Sequence, residues 1–199
     1  MIYIDDDIAH LDLEASLPLL SEERRKMALR YKHDTGRRQC AAAWLLLLRV
    51  LTENYGLKEM PPMAYTEKGK PYFPSMPDLH FNMSHCKEAV AVAVADHPVG
   101  IDIETIRPVK VEFLRYVMNE SELNRIFNAS QPEMEFTKLW TMKESMLKLT
   151  GIGISNNMKP VLEHTEKVRF ETLFNPSGRY ICTLATYFEE WEKEHRNDR

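Results

Sequence analysis

Three short stretches of this chain hold residues that could do chemistry. In Val99-Gly100-Ile101-Asp102-Ile103-Glu104 two carboxylates stand two residues apart in an otherwise apolar run. A strand sends side chains at i and i+2 to the same face, so both acids point one way. Carboxylates held that close raise one another's proton affinity unless a cation or strong donors are nearby. Hard oxygen ligands of this kind suit Mg²⁺, which takes one or two carboxylates and keeps other positions for water and substrate phosphates. An edge strand with both acids in water is the other reading of the same spacing.

The second stretch is Leu139-Trp140-Thr141-Met142-Lys143-Glu144-Ser145-Met146-Leu147-Lys148. Glu144 and Lys148 share a helical face as an i, i+4 pair. On a surface that pair is a salt bridge worth about 0.3–0.5 kcal/mol. In a site, Glu144 is a third metal carboxylate and Lys148 a cation over the charge that develops in phosphoryl transfer. The third stretch is Phe81-Asn82-Met83-Ser84-His85. Neighbouring strand residues face opposite ways, which excludes a serine nucleophile activated by the adjacent His85. His85 is either structural or a donor to phosphate, with Ser84 and Lys70 as companions.

The elements that must position these groups follow from periodicity. Glu22 to Arg30 and Arg37 to Tyr55 read as helices, the second stopped by a left-handed Gly56. Met60 to Pro77 reads as an irregular Pro- and Gly-bearing loop. Leu79 to His85, Glu88 to Ala95 and Val99 to Glu104 read as strands, with Asp96-His97-Pro98 turning between the last two. Helical periodicity returns at Val111 to Met118, Ser121 to Asn128 and Pro132 to Thr150, where Pro132 opens and Gly151 closes the last helix. Lys167 to Phe174 and Arg179 to Phe188 form a hairpin around Asn175-Pro176-Ser177-Gly178, and a polar tail runs from Glu189 to Arg199.

Composition narrows the field. A formal net charge of −4 excludes a general nucleic-acid binder, and 44% hydrophobic residues exclude a disordered chain. The longest apolar stretch, Ala41 to Leu48, is too short to span a bilayer. Acidic Asp5, Asp6 and Asp7 stand where a secretory signal would be basic. Cys40, Cys86 and Cys182 are odd in number and widely spaced, which points to reduced thiols and a cytoplasmic protein. Between Glu22 and Arg38, seven basic residues face three acidic ones. That local +4 is either a solvated helix face or a platform for a phosphate-bearing ligand.

Taken together, Gly69-Lys70-Pro71, Phe81-Asn82-x-Ser84-His85, Gly100-Ile101-Asp102-Ile103-Glu104 and Trp140-Thr141-x-Lys143-Glu144-Ser145-x-x-Lys148 resemble the 4′-phosphopantetheinyl transferases of the Sfp-like type. The resemblance spans roughly Glu22 to Gly153, and its last two motifs are specific in combination. It implies an α+β fold of two similar subdomains packed as a pseudo-dimer, residues 1–98 and 99–199, with the active site in the cleft between them and the metal carboxylates on the second. It implies an enzyme of the holo-acyl-carrier-protein synthase class. Such an enzyme moves the phosphopantetheine arm of coenzyme A onto a serine of an apo acyl or peptidyl carrier protein and releases adenosine 3′,5′-bisphosphate. A non-catalytic carrier-binding module on the same fold is the rival.

Carried over by motif, Asp102, Glu104 and Glu144 would bind Mg²⁺, with Mn²⁺ as the alternative ion. Glu144 would accept the serine proton, and Lys148, with Lys143, would neutralise charge on the phosphate. Lys26, Arg38, Lys70, Ser84 and His85 would hold the nucleotide end of coenzyme A. One usual lysine position of the basic segment holds Glu23. Val111, Phe113, Leu114 and Tyr116 are core residues or a docking face for the carrier's helix. The chain is expected to act as a monomer.

Overall fold

The computed structural model describes residues 1–153 and 157–188; the polar tail expected from Glu189 onward lies outside them. Strand β1 (Ile2–Asp5) leads through two short turns of 3₁₀ helix and α1 (Leu13–Ser16) to α2 (Glu22–Leu29) and the long α3 (Asp34–Tyr55). A two-residue ladder, β2 (Ala64–Tyr65) with β3 (Pro71–Tyr72), interrupts the segment expected to be irregular. Then come β4 (His80–His85), β5 (Val90–Ala95) and β6 (Val99–Thr105). The helices α4 (Val111–Val117), α5 (Glu120–Asn128) and α6 (Pro132–Thr150) precede the final hairpin of β7 (Val168–Phe174) and β8 (Tyr180–Tyr187). Gly56 ends α3 at φ 69° and Gly151 ends α6 at φ 68°, the left-handed stops that the sequence pattern requires.

The strands form two three-stranded antiparallel sheets, ordered β1-β5-β4 and β6-β8-β7. Each carries one long helix, α3 on the first and α6 on the second, so the α+β architecture has two similar halves. β1 was not foreseen from sequence. Its four residues are too short a run to mark a strand by alternation, and it exists because β5 offers an open edge, pairing Ile2 with Ala93 and Ile4 with Ala91.

β5 shows how the halves are joined. Its sequence is Val-Ala-Val-Ala-Val-Ala, buried throughout. Val90, Val92 and Val94 pack with Leu46, Leu47, Val50 and Leu51 of α3. Ala91, Ala93 and Ala95 face the other way, into a core shared with Val99, Ile101 and Ile103 of β6 and Cys182 and Leu184 of β8. Small residues on that face let the second sheet approach closely. The odd residues of β6 thus fill the core between the sheets, and the even ones turn to α6.

Gly100 sets the distance between β6 and α6. A β-carbon there would lie 2.0 Å from the Ser145 carbonyl oxygen and 2.3 Å from the Leu149 backbone nitrogen. The helix backbone therefore rests directly on the strand. On the far side of α6 a further core of Leu114, Val117, Leu123, Ile126, Leu139, Leu147 and Met158 binds α4 and α5. No helix among the described residues is long and apolar enough to cross a membrane.

Gly100→Ala should cost about 3 kcal/mol or more, because the clash is with backbone that cannot rotate away. Gly69→Ala, at φ +83° with nothing within 4 Å, should cost only about 1 kcal/mol for its left-handed backbone. Urea unfolding midpoints compare the two.

Candidate active site

Gly100, Asp102 and Glu104 all face α6, as the alternation of β6 dictates. Asp102 and Glu104 stand about 6.7 Å apart along β6, while the α6 residues they meet stand about two turns apart. Asp102 meets Lys148, and Glu104 meets Trp140, whose indole N–H donates to the carboxylate.

Asp102 is only 3% exposed. Its Oδ1 accepts from the Lys148 ammonium at 2.7 Å and from the Ser84 hydroxyl at 2.8 Å. Lys148 also donates to Ser84 Oγ at 2.9 Å, and the Ile103 backbone N–H donates to the same oxygen at 3.3 Å. The single proton and both lone pairs of Ser84 are thereby committed. Two residues earlier on β4, Asn82 Oδ1 accepts from the Ile101 N–H at 2.9 Å. Asn82 and Ser84 thus supply acceptors to an edge of β6 that no strand of the described residues pairs with. The Asn-x-Ser spacing encodes this bridge, though sequence reasoning assigned Asn82 no role.

Asp102 Oδ2 is buried and has no hydrogen-bond partner among the described residues. Burial is also the leading reason that Glu104 is pushed up to about 7, with the charge of Asp102 adding to it. Glu144, 7% exposed, is raised by burial first and by Asp102 second, while Lys148 pulls it down. Both glutamates therefore feel the charge of Asp102, and hard oxygens with an orphaned buried lone pair are a donor set suited to a divalent cation. They do not stand gathered as a cage: among the described residues no three His, Cys, Asp or Glu side chains are close enough together to hold a metal. Of these acids it is Asp102 that pairs with Lys148.

Lys143 is not brought to this cluster. It is fully buried on another face of α6, paired with Glu122 at 2.9 Å and donating to the Met158 and Lys159 carbonyls. Adjacent helical residues differ by about 100° in direction, and that turn separates it from Glu144. Lys70 reaches from β3's approach to the second half, donating to the Leu149 carbonyl at 3.0 Å and the Val99 carbonyl at 3.3 Å. Beside it lies a groove of about 260 Å³ lined by Lys68 to Pro71, Asn82 and Met83 from one half and by Glu144, Leu147, Lys148, Gly151 and Gly153 from the other.

His85 ends β4 with its ring at the surface. Desolvation by its surroundings lowers its pKa, and the cations of Lys148 and Arg24 act in the same direction. Arg24, which the sequence reading passed over, thus reaches the field of His85. It donates to the Cys40 carbonyl and lies over the Trp44 ring. Arg38 donates to the Leu11 carbonyl at 3.1 Å. Lys26 points into solvent and pairs with Glu22 one turn back.

The profile of the 4′-phosphopantetheinyl transferase superfamily matches residues 98–198. The 4′-phosphopantetheinyl transferase psf-1 of Bacillus pumilus is 33% identical over 187 residues, covering 92% of this chain and 80% of the relative. The 4′-phosphopantetheinyl transferase Sfp of Bacillus subtilis (strain 168) is 31% identical over 192 residues, covering 94% and 84%. AcpT of Salmonella typhimurium, also a 4′-phosphopantetheinyl transferase, is 36% identical over 116 residues, or 55% of this chain and 59% of that protein.

A carboxylate whose pKa is raised on folding costs no stability while it is protonated in both states. The penalty grows as pH passes the ordinary glutamate range near 4.5 and is complete above about 7. Glu104→Gln in metal-free buffer should therefore raise the melting temperature at pH 8 and leave it nearly unchanged at pH 4.5. Thermal melts at the two values, with chelator present, check the sign.

Proposed function

The chain belongs to the 4′-phosphopantetheinyl transferase superfamily, and on that premise we propose how its own residues perform the transfer. The activity is that of an Sfp-type 4′-phosphopantetheinyl transferase: the phosphopantetheine arm of coenzyme A moves to a carrier-protein serine, with release of adenosine 3′,5′-bisphosphate. The observation that carries the residue assignment is the buried Asp102, bonded at once by Ser84 of the first half and Lys148 of the second. We take residues 1–98 and 99–199 as the two subdomains and the cleft between them as the active site.

Asp102, Glu104 and Glu144 are the groups that would hold Mg²⁺, or Mn²⁺ in its place. The ion when bound supplies positive charge to the pyrophosphate and its leaving oxygen. The unpartnered Asp102 Oδ2 and the two raised glutamates support that assignment. Lys148, already within the cluster, neutralises charge on the phosphate under attack. Glu144 receives the proton of the incoming serine. Its burial raises its proton affinity toward that of a useful general base, while the Lys148 ammonium pulls the other way.

The nucleotide end lies in the groove beside Lys70, where Pro71, Met83 and Leu147 offer apolar contact for a flat base. His85, Lys70 and Arg38 serve its phosphates, with Arg24 joining them because its charge already acts on His85. Ser84 contributes when an arriving phosphate oxygen competes for its hydroxyl proton. Lys26 can take part only by leaving Glu22, a weak exposed pairing.

For the carrier, Val111, Phe113 and Tyr116 are exposed while Leu114 is core. Phe113 lines a groove of about 380 Å³ that runs from Glu104 past Arg107 and Lys110 to Trp140. Apolar contacts rimmed by two cations suit an acidic amphipathic carrier helix, delivered beside the carboxylates. We further propose that the protein works as a monomer in the cytoplasm. Its three cysteines are free and buried, as reduced thiols would be.

With coenzyme A and Mg²⁺, the protein should add one phosphopantetheine to an apo carrier, read by intact-mass spectrometry. Asp102→Ala and Glu144→Ala should each cut the rate at least about 100-fold. No mass gain on several carriers would leave only a binding module, and gain surviving both substitutions would refute the metal assignment. His85→Ala should weaken coenzyme A at least several-fold more than pantetheine phosphate in calorimetry; equal losses would remove His85 from the nucleotide end.

A further inference from the structure

Lys143 sits in the middle of an apolar helix face. Leu139 and Leu147, four residues to either side of it, belong to the core with Leu123, Ile126 and Met158. A lysine there is costly, and burial lowers its pKa while Glu122 supports the charged form. The ammonium is met on every hydrogen: Glu122 Oε2 at 2.9 Å, the Met158 carbonyl at 2.7 Å and the Lys159 carbonyl at 3.2 Å. Glu122 is itself tied down. Its Oε2 accepts from the Asn119 backbone N–H at 2.8 Å, and its own N–H donates to Asn119 Oδ1 at 2.9 Å, the reciprocal cap that opens α5. Asn119 also donates to the Lys159 carbonyl.

Three segments therefore converge on one ammonium: the start of α5, the middle of α6, and the carbonyls of Met158 and Lys159. Holding Lys143 fixes the rotation of α6 about its axis. One residue further on, that rotation decides where Glu144 points; five residues on, it decides where Lys148 meets Asp102. A side chain with all three donors committed inside the core has none left for a phosphate.

We infer that Lys143 is a positioning residue of the transfer reaction: its buried pair with Glu122 sets the rotation of α6 that presents Glu144 and Lys148 to Asp102. The inference rests on the transferase reading of those three groups. It also separates two neighbours in the Lys-Glu motif, one anchoring the helix and the other facing the substrate.

The test is a double-mutant cycle of Glu122→Gln, Lys143→Met and the two combined. Gln at 122 keeps the acceptor for the Asn119 N–H, so the cap survives. Glu122→Gln leaves the buried ammonium without its counter-charge, Lys143→Met leaves the buried carboxylate without its cation, and each should lower the melting temperature by on the order of 10 °C. The combined variant should melt well above the sum of the two losses, and it keeps the test readable if Lys143→Met alone fails to fold. On apo carrier protein, Glu122→Gln and the double variant should lose at least about 10-fold in kcat, with KM for coenzyme A within twofold of the parent. A lysine that touches phosphate gives the opposite pattern: Glu122→Gln behaves as parent, Lys143→Met raises KM for coenzyme A more than 10-fold, and the melting losses add. That pattern overturns the inference. If the parent protein itself modifies no carrier, the transferase reading falls, and the melting cycle still decides whether the pair anchors α6.

Discussion

A carboxylate that leaves water must be given back what the water supplied, and Asp102 receives only part of it. Lys148 and Ser84 both serve one of its oxygens and leave the other bare. The surroundings are organised about that shortfall. β6 carries Asp102 into the core, Gly100 lets α6 rest against the strand, and β4 sends Ser84 across from the other half. Moving any of these would leave a charge in the interior with fewer partners, which proteins tolerate poorly. Burial first, and the charge of Asp102 second, raises the proton affinity of Glu144 and Glu104 beside it.

Much of the fold could be read from the chain because its signals were local. The limits of α6 follow from Pro132 and Gly151, and Asp102 and Glu104 share a face because strands alternate. The short pieces escaped because their stability is borrowed. β1 is held by β5, and the β2–β3 ladder by the loop between them. The site was legible to the same degree. Asp102 with Lys148, and Ser84 with both, lie in motifs whose spacing matches the repeat of their elements.

Lys143 was not legible, since a motif written as consecutive letters conceals the angle between adjacent helical residues. Its partner Glu122 lies on a different helix, outside every motif. Arg24 was hidden differently. In a segment so rich in cations, composition cannot tell Arg24, which lies over Trp44 and acts on His85, from Lys26, which only pairs with Glu22 in solvent. Charge counting gives the sign of a region and says nothing of which side chains fold inward.

The alternation along β5 bears on how such a protein can drift. Its valines meet a helix, whose side chains can shift to accept an added methylene; its alanines meet another sheet, where the backbone leaves no slack. Successive positions of one six-residue segment therefore live under unequal rules. Growth on one side is negotiable and on the other would wedge the molecule apart. Descendants of this chain should accumulate their changes lopsidedly along that strand, every second residue held almost still.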